Sequence, residues 1–253
     1  ANTTGTQNTA VGVNALDAIT DNSFCTAIGY NSLTANTGPH NTAVGNITLE
    51  DNTSGEGNVA LGSFALKNNT TGNTNIGLGN DSLGANTTGG QNVAIGHQAL
   101  NANTTASNNI GVGYRSLVSN TTGTDNTAVG RAALDAVTTN SFNTAVGSAA
   151  LTNSTGTGNT AVGADALLSN TSQSYNAAFG YRALRANTTG SANTALGSEA
   201  LETATTSSNM VAIGRAALKL NTSGSSNTAV GAFALDANTS GYYNVGVGTE
   251  PLS

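Results

Sequence analysis

The unit Asn-Thr-Ala-Val-Gly-x-x-Ala-Leu-x-x-Asn-Thr-Thr-Gly-x-x recurs along the whole chain, and its shortness dictates how the chain folds. Copies start at residues 8, 25, 41, 58, 75, 92, 109, 126, 143, 159, 176, 193, 210, 227 and 244, and every spacing between starts is 17 except two of 16, for the copies at 25 and 143. So short a unit cannot enclose a core alone; it must stack on its neighbours, as in a solenoid. The two short copies lie seven copies apart, and residues 8–24 match residues 126–142 at 13 of 17 positions. We read residues 1–253 as one repeat array containing a seven-coil duplication, 8–125 and 126–243. The chain opens in mid-repeat and without Met, which we read as a piece of something longer.

Within the unit, position 2 is Thr, Val, Ile or Ala (Thr9, Val59, Ile76, Ala177) and position 4 is Val, Ile, Leu or Phe (Val11, Ile28, Leu61, Phe179). Position 3 is always Ala or Gly, and position 5 is Gly in all fifteen copies. That is period-two alternation with β-branched enrichment, closed by glycine, which predicts a strand. A helix would not tolerate so much Gly and β-branched residue. Position 9 is Leu in every copy, from Leu16 to Leu252, and predicts a second short strand after a tight turn. The expected fold is all-β, a parallel β-solenoid or β-roll of about fifteen stacked 17-residue coils.

The pattern also predicts which side chains point inward. Positions 2, 4 and 9 carry the large apolar groups and are expected inside. Positions 3 and 5 admit no Lys, Thr or Ser, and small residues in a strand let another backbone approach closely. We therefore expect them to form an interchain packing face: Ala10, Gly12, Ala43, Gly45, Ala94, Gly96, Ala128, Gly130, Ala161, Gly163, Ala229 and Gly231. The other reading of position 5 is a turn that needs positive φ. Position 1 is Asn in 13 of 15 copies, with Cys25 and Met210 the exceptions. Both exceptions are apolar, so the column is expected to be sheltered, its amides bonded from coil to coil as a ladder.

The Asn-Thr-Thr-Gly segment reads as a loop whose glycine takes the left-handed conformation, with Asn22 and Asn140 in its stead in two copies. It also creates N-x-S/T sequons, and candidate glycosylation sites are Asn2, Asn52, Asn69, Asn86, Asn103, Asn120, Asn170, Asn187, Asn221 and Asn238. Further sequons fall at Asn46, Asn68 and Asn153. A turn that spells Asn-Thr-Thr produces sequons whether or not they are used.

Composition narrows the function classes. Seven Lys and Arg against thirteen Asp and Glu form no basic stripe, so nucleic acid is not an expected partner. No apolar run is long enough to insert this segment into a membrane. His40 and His97 sit at unlike repeat positions and pair with no recurring carboxylate or cysteine. No metal, cofactor or enzymatic constellation is expected, and Cys25 lacks the basic surroundings of a nucleophile. An interchain disulfide at Cys25 would need equal positions of two chains to meet. Aromatic residues at position 6 (Tyr30, Tyr114, Tyr181) and position 17 (Phe24, Phe142, Tyr175, Tyr243) are candidate ligand contacts or a cover for the loop edge.

The core Asn-Thr-Ala-Val-Gly-x-x-Ala-Leu, with variants such as Asn-Val-Ala-Ile-Gly-His-Gln-Ala-Leu at 92–100, resembles the head repeat of trimeric autotransporter adhesins of the YadA type. The family's coil is shorter, and no neck, stalk or anchor motif is present here. The resemblance implies a left-handed parallel β-roll, three chains side by side, and a bacterial surface. The expected function is an extracellular structural rod or filament at the cell surface that self-associates as a homotrimer or end to end. Two alternatives stand beside it. One is an adhesive head or phage-type tail fibre that contacts glycans or host matrix proteins. The other is an ice-binding solenoid, which the inward placing of the position-2 threonines would disfavour.

Overall fold

In the computed structural model, residues 2–250 are described; Leu252 of the last copy lies outside them. The protein is a parallel β-solenoid. Each copy contributes one three-residue strand at its positions 2–4. The chain divides into two compact units, the first ending at Asn126 and the second starting at Thr127. The first holds seven strands, from β1 (Thr9–Val11) to β7 (Ile110–Val112), and the second eight, from β8 (Thr127–Val129) to β15 (Val245–Val247).

Register is like on like. Thr9 faces Thr26, Ala10 faces Ala27 and Val11 faces Ile28, and the same pairing recurs up each unit. Inter-coil bonding does not stop at the strand ends. In the coil that begins at Asn58, Val59 N donates to Asn75 O at 2.9 Å, Leu66 N to Ser82 O at 2.9 Å and Thr70 N to Thr87 O at 2.8 Å. Gly62 N and Thr74 N reach back to Val44 O and Glu56 O of the preceding coil, both at 2.9 Å. Turns and loops therefore stack as strands do. This satisfies backbone groups that a surface loop would leave to water.

Among the described residues the expected second strand does not follow the first. Positions 6–11 form a tight turn in which positions 7 and 9 are left-handed, as at Phe64 (φ 61°) and Leu66 (φ 50°). A left-handed leucine costs about 1–2 kcal/mol, and burying its side chain returns about 1.5–3 kcal/mol. The turn aims the described leucines into the coil: Leu33 to Leu117 in the first unit and Leu134 to Leu218 in the second are fully buried.

That leucine column inverts the expected faces. Ala43, Ala94, Ala128, Ala161 and Ala229 at position 3 have no exposed surface, because they point into the coil. Ala10, on the end coil, is exposed. The alanine column is small because the coil is already filled: at Gly77, a Cβ would lie 3.1 Å from Ser82 Oγ and 3.4 Å from Leu66. The close neighbour of position 3 is thus this chain's own interior, and not a second chain. Positions 2 and 4 point outward instead, with Leu61 51% and Ile95 38% exposed.

The position-5 glycines are explained by φ. Gly12, Gly45, Gly96, Gly130, Gly163 and Gly231 lie at φ between 130° and 143°, a region closed to side chains. The glycine of Asn-Thr-Thr-Gly differs from expectation: the left-handed residue is position 17, such as Phe24 (φ 65°) and Thr74 (φ 55°). Glycine is favoured at position 15 by the next coil's carbonyl, which a Cβ on Gly72 or Gly89 would meet. Ala106, Gln173 and Ser207 occupy the same place, so the preference is not absolute.

Candidate functional site: the outer sheet face

The interior has to be self-contained before the surface can do anything else, and two asparagine columns achieve this. At position 1, Asn58 Oδ1 accepts the Asn75 backbone amide at 2.9 Å, while Asn75 Nδ2 donates to Gly89 O at 2.8 Å. At position 12, Asn86 Nδ2 donates both to Asn69 Oδ1 at 2.7 Å and to the same Gly89 O at 2.9 Å. Two amides of one coil thus hold one loop carbonyl, and each column bonds along the axis. Buried polar groups cost nothing net only when paired in this way.

The second column consists of the sequon asparagines. Asn52, Asn69, Asn86, Asn103, Asn120, Asn170, Asn187 and Asn221 have no exposed surface. Their Nδ2 groups donate inside the coil, so the folded chain has no room for a glycan on them. The sequence disguised these core residues as turn residues, because Asn next to Thr is ordinary loop chemistry. Of the ten candidates, only Asn2 is exposed and Asn238 half-buried. Asn46 and Asn153 are exposed and Asn68 is half-buried.

Substitutions within the columns keep the bonding. Cys25 is fully buried; its amide donates to Asn8 Oδ1 at 2.9 Å and its thiol to Gly38 O at 3.4 Å. A buried thiol that occupies an amide's place cannot meet a second chain. Met210 Sδ accepts the Asn227 amide at 3.4 Å. Where Ala204 interrupts the second column, Ser207 Oγ receives Asn221 Nδ2 at 3.0 Å.

Outside, the sheet presents two columns of side chains in each unit. Position 2 supplies Thr26, Thr42, Val59 and Ile76, and position 4 supplies Ile28, Val44, Leu61 and Leu78, all half-buried or exposed. In the second unit Phe179, Leu196 and Val146 are likewise exposed. β-branched residues suit this half-exposed pleated face, which explains the exchange of Thr for Val and Ile.

The aromatic candidates are spread over two other columns. Tyr30, Tyr114 and Tyr181 stand exposed at position 6, and Phe24, Phe142, Tyr175 and Tyr243 at the loop edge. Phe24 stacks on His40 with ring centroids 4.8 Å apart, and His97 donates through Nδ1 to Asn80 O at 3.2 Å. Among the described residues, no group of three His, Cys, Asp or Glu is placed to hold a metal ion. The described residues contain no helix long and apolar enough to cross a membrane.

Charge is gathered on the turn of the second unit, which the sequence reading passed over. Arg182 lies 3.9 Å from Asp165 and 3.8 Å from Glu202, and Lys219 lies 2.6 Å from Glu199 and 3.4 Å from Glu202. The hydrogen bond from Lys219 holds the Glu199 carboxyl below its ordinary pKa, and the same bond raises the lysine. Compared with protein-family models and with curated proteins, the sequence matches none.

Proposed function

We propose that this chain is an extracellular structural protein, the rigid repeat portion of a surface fibre, and that copies associate side by side through the outer sheet face. The observation that carries this reading is the outward pair of columns, apolar at position 4 and mixed Thr, Val and Ile at position 2, mounted on a coil whose buried asparagines bond from coil to coil. Coils bonded to one another within each unit are stiff, and a face with one repeat spacing is matched in spacing by the same face of a second copy. The bacterial surface and the homotrimer come from the resemblance of the Thr-Ala-Val-Gly repeat to trimeric adhesin heads; the face used is the Thr/Val face, and not the Ala/Gly face expected from sequence.

Sedimentation velocity on the full chain tests this. The expected result is an oligomer at micromolar concentration that becomes monomeric in the double variant Leu61→Lys, Ile95→Lys, since both side chains stand exposed on the outer face. A wild-type monomer throughout that range would overturn it.

One observation favours a second reading. The position-2 threonines Thr26, Thr42, Thr144 and Thr160 face outward in register, which removes the sequence objection to an ice-binding face. Val59, Ile76, Val93 and Ile110 then supply no hydroxyl over four consecutive copies, so the array is broken. Thermal hysteresis in dilute solution is its readout.

A further inference from the structure

We infer that a notch on the turn side of the first unit binds a neutral pyranose sugar. The notch is lined by Phe64, Lys67, Asn68, Asp81, Gly84 and Asn101, all half-buried. They occupy repeat positions 7, 10 and 11, so the site is separate from the sheet face and independent of the association proposed above.

The duplication supplies the comparison that isolates this site. Residues 118 further on, at the corresponding places of the second unit, are Arg182, Arg185, Ala186, Glu199, Glu202 and Lys219. There the turn closes on itself: Glu202 takes both Arg182 and Lys219, and Lys219 also takes Glu199. In the first unit glycine stands where Glu202 would be, and asparagine where Lys219 would be. The central anion is gone, and the Asn101 amide stands over Gly84, 3.0 Å from where a Cβ would lie. Among the described residues, Lys67 and Asp81 make no salt bridge. Lys67 Nζ sits 5.9 Å from the centroid of the Phe64 ring, and Asn101 Nδ2 is held by Asp81 O at 2.9 Å.

What remains is a neutral site of mixed chemistry. The Asp81 carboxylate only accepts hydrogen bonds, the Lys67 ammonium only donates, and the amides of Asn68 and Asn101 do both. An anion would meet Asp81 and a cation would meet Lys67. An apolar ligand would leave the Lys67 ammonium, the Asp81 carboxylate and the Asn68 amide unpaired, at a cost that grows with desolvation. A hydroxylated ring matches each element: its hydroxyls donate to Asp81 and accept from Lys67 and the amides, and its C–H face lies on Phe64. A half-open notch gives few contacts, so the affinity for one sugar ring is weak, on the order of millimolar.

Saturation-transfer NMR on the full chain tests the assignment, with the methyl glycosides of glucose, galactose, mannose and N-acetylglucosamine as probes and free glycine and lysine as zwitterionic controls. The expected result is transfer to at least one glycoside, strongest at its ring C–H protons. Binding should weaken by about tenfold or more in F64A and in G84E. Glu202 shows that this turn accommodates glutamate, so G84E should fold, and F64A reads the same site without altering Gly84. Absence of transfer to every glycoside, equal transfer in both variants, or binding of glycine or lysine alone would each overturn the proposal.

Discussion

Asn86 shows what a single residue contributes in this fold. Its Nδ2 serves two acceptors, and its Oδ1 receives Asn103 Nδ2 at 2.8 Å. Replacing it by valine strands Asn69 Oδ1 in an interior without water, and an unpaired buried acceptor costs about 1–3 kcal/mol beyond the bonds lost. Asn86→Val is therefore expected to lower unfolding free energy by about 2–4 kcal/mol, measured by urea denaturation. Cys25→Asn should do the opposite or nothing, because it restores an amide where a thiol now spans 3.4 Å to Gly38 O. Residue identities also show how far the sequence could be read. The shelter of position 1 was legible from Cys25 and Met210, since apolar substitutes mark a buried column. The inward turn of Ala43 and Ala94 was not. Alternation separates two faces of a strand without saying which is inside, and size misleads when Leu49 and Leu100 have already filled the bore. The burial of Asn69 was hidden for a different reason: its partners are carbonyls and amides of other coils, which no local spacing reveals.

At the scale of the coil, strand, turn and loop tolerate change differently. The short copies at 25 and 143 lose one loop residue, yet Thr37 N still donates to Thr53 O at 2.7 Å and Asn36 Nδ2 to Gly38 O at 2.8 Å. Loop length was therefore free to vary, whereas the left-handed turn that sends Leu66 and Leu83 inward was not foreseeable, because leucine rarely adopts that conformation. The charged turn of the second unit has its own pH signature. Glu199 has a lowered pKa, so its stabilising contribution is present above the ordinary carboxylate range and is lost as pH falls through the folded value. Lys219 is raised, so its contribution is present below the ordinary lysine range and is lost only in strong alkali. Both groups reach solvent, and salt screens them. Lys219→Met should lower the urea midpoint at neutral pH in low salt, and that difference should vanish at pH low enough to protonate Glu199, or in molar salt. A difference that persisted in acid would assign the effect to packing of the lysine stem.

At the scale of the molecule, the described coils within each unit bond to the coil before and the coil after them, which makes stability a sum of local interfaces. The coil spanning 75–91 begins with an Asn that bonds to Asn58 and is followed by an Asn that bonds to it. Removing all seventeen residues of it places Asn92 on Asn58, Leu100 on Leu66 and Asn103 on Asn69, so every column closes over the cut. Removing residues 75–83 alone places the remaining Asn-Thr-Thr loop where a strand should pair, and strands Ile76's neighbours Val59 and Val93 without a common partner. The whole-coil deletion is expected to keep a β-rich circular dichroism spectrum and one cooperative unfolding transition, with the denaturant slope reduced in proportion to the surface removed, roughly one part in fifteen. The half-coil deletion should lose cooperativity altogether. Equal damage from both would mean that coils are not the independent units of this fold, and the repeat would then be a record of gene history with no separate mechanical meaning.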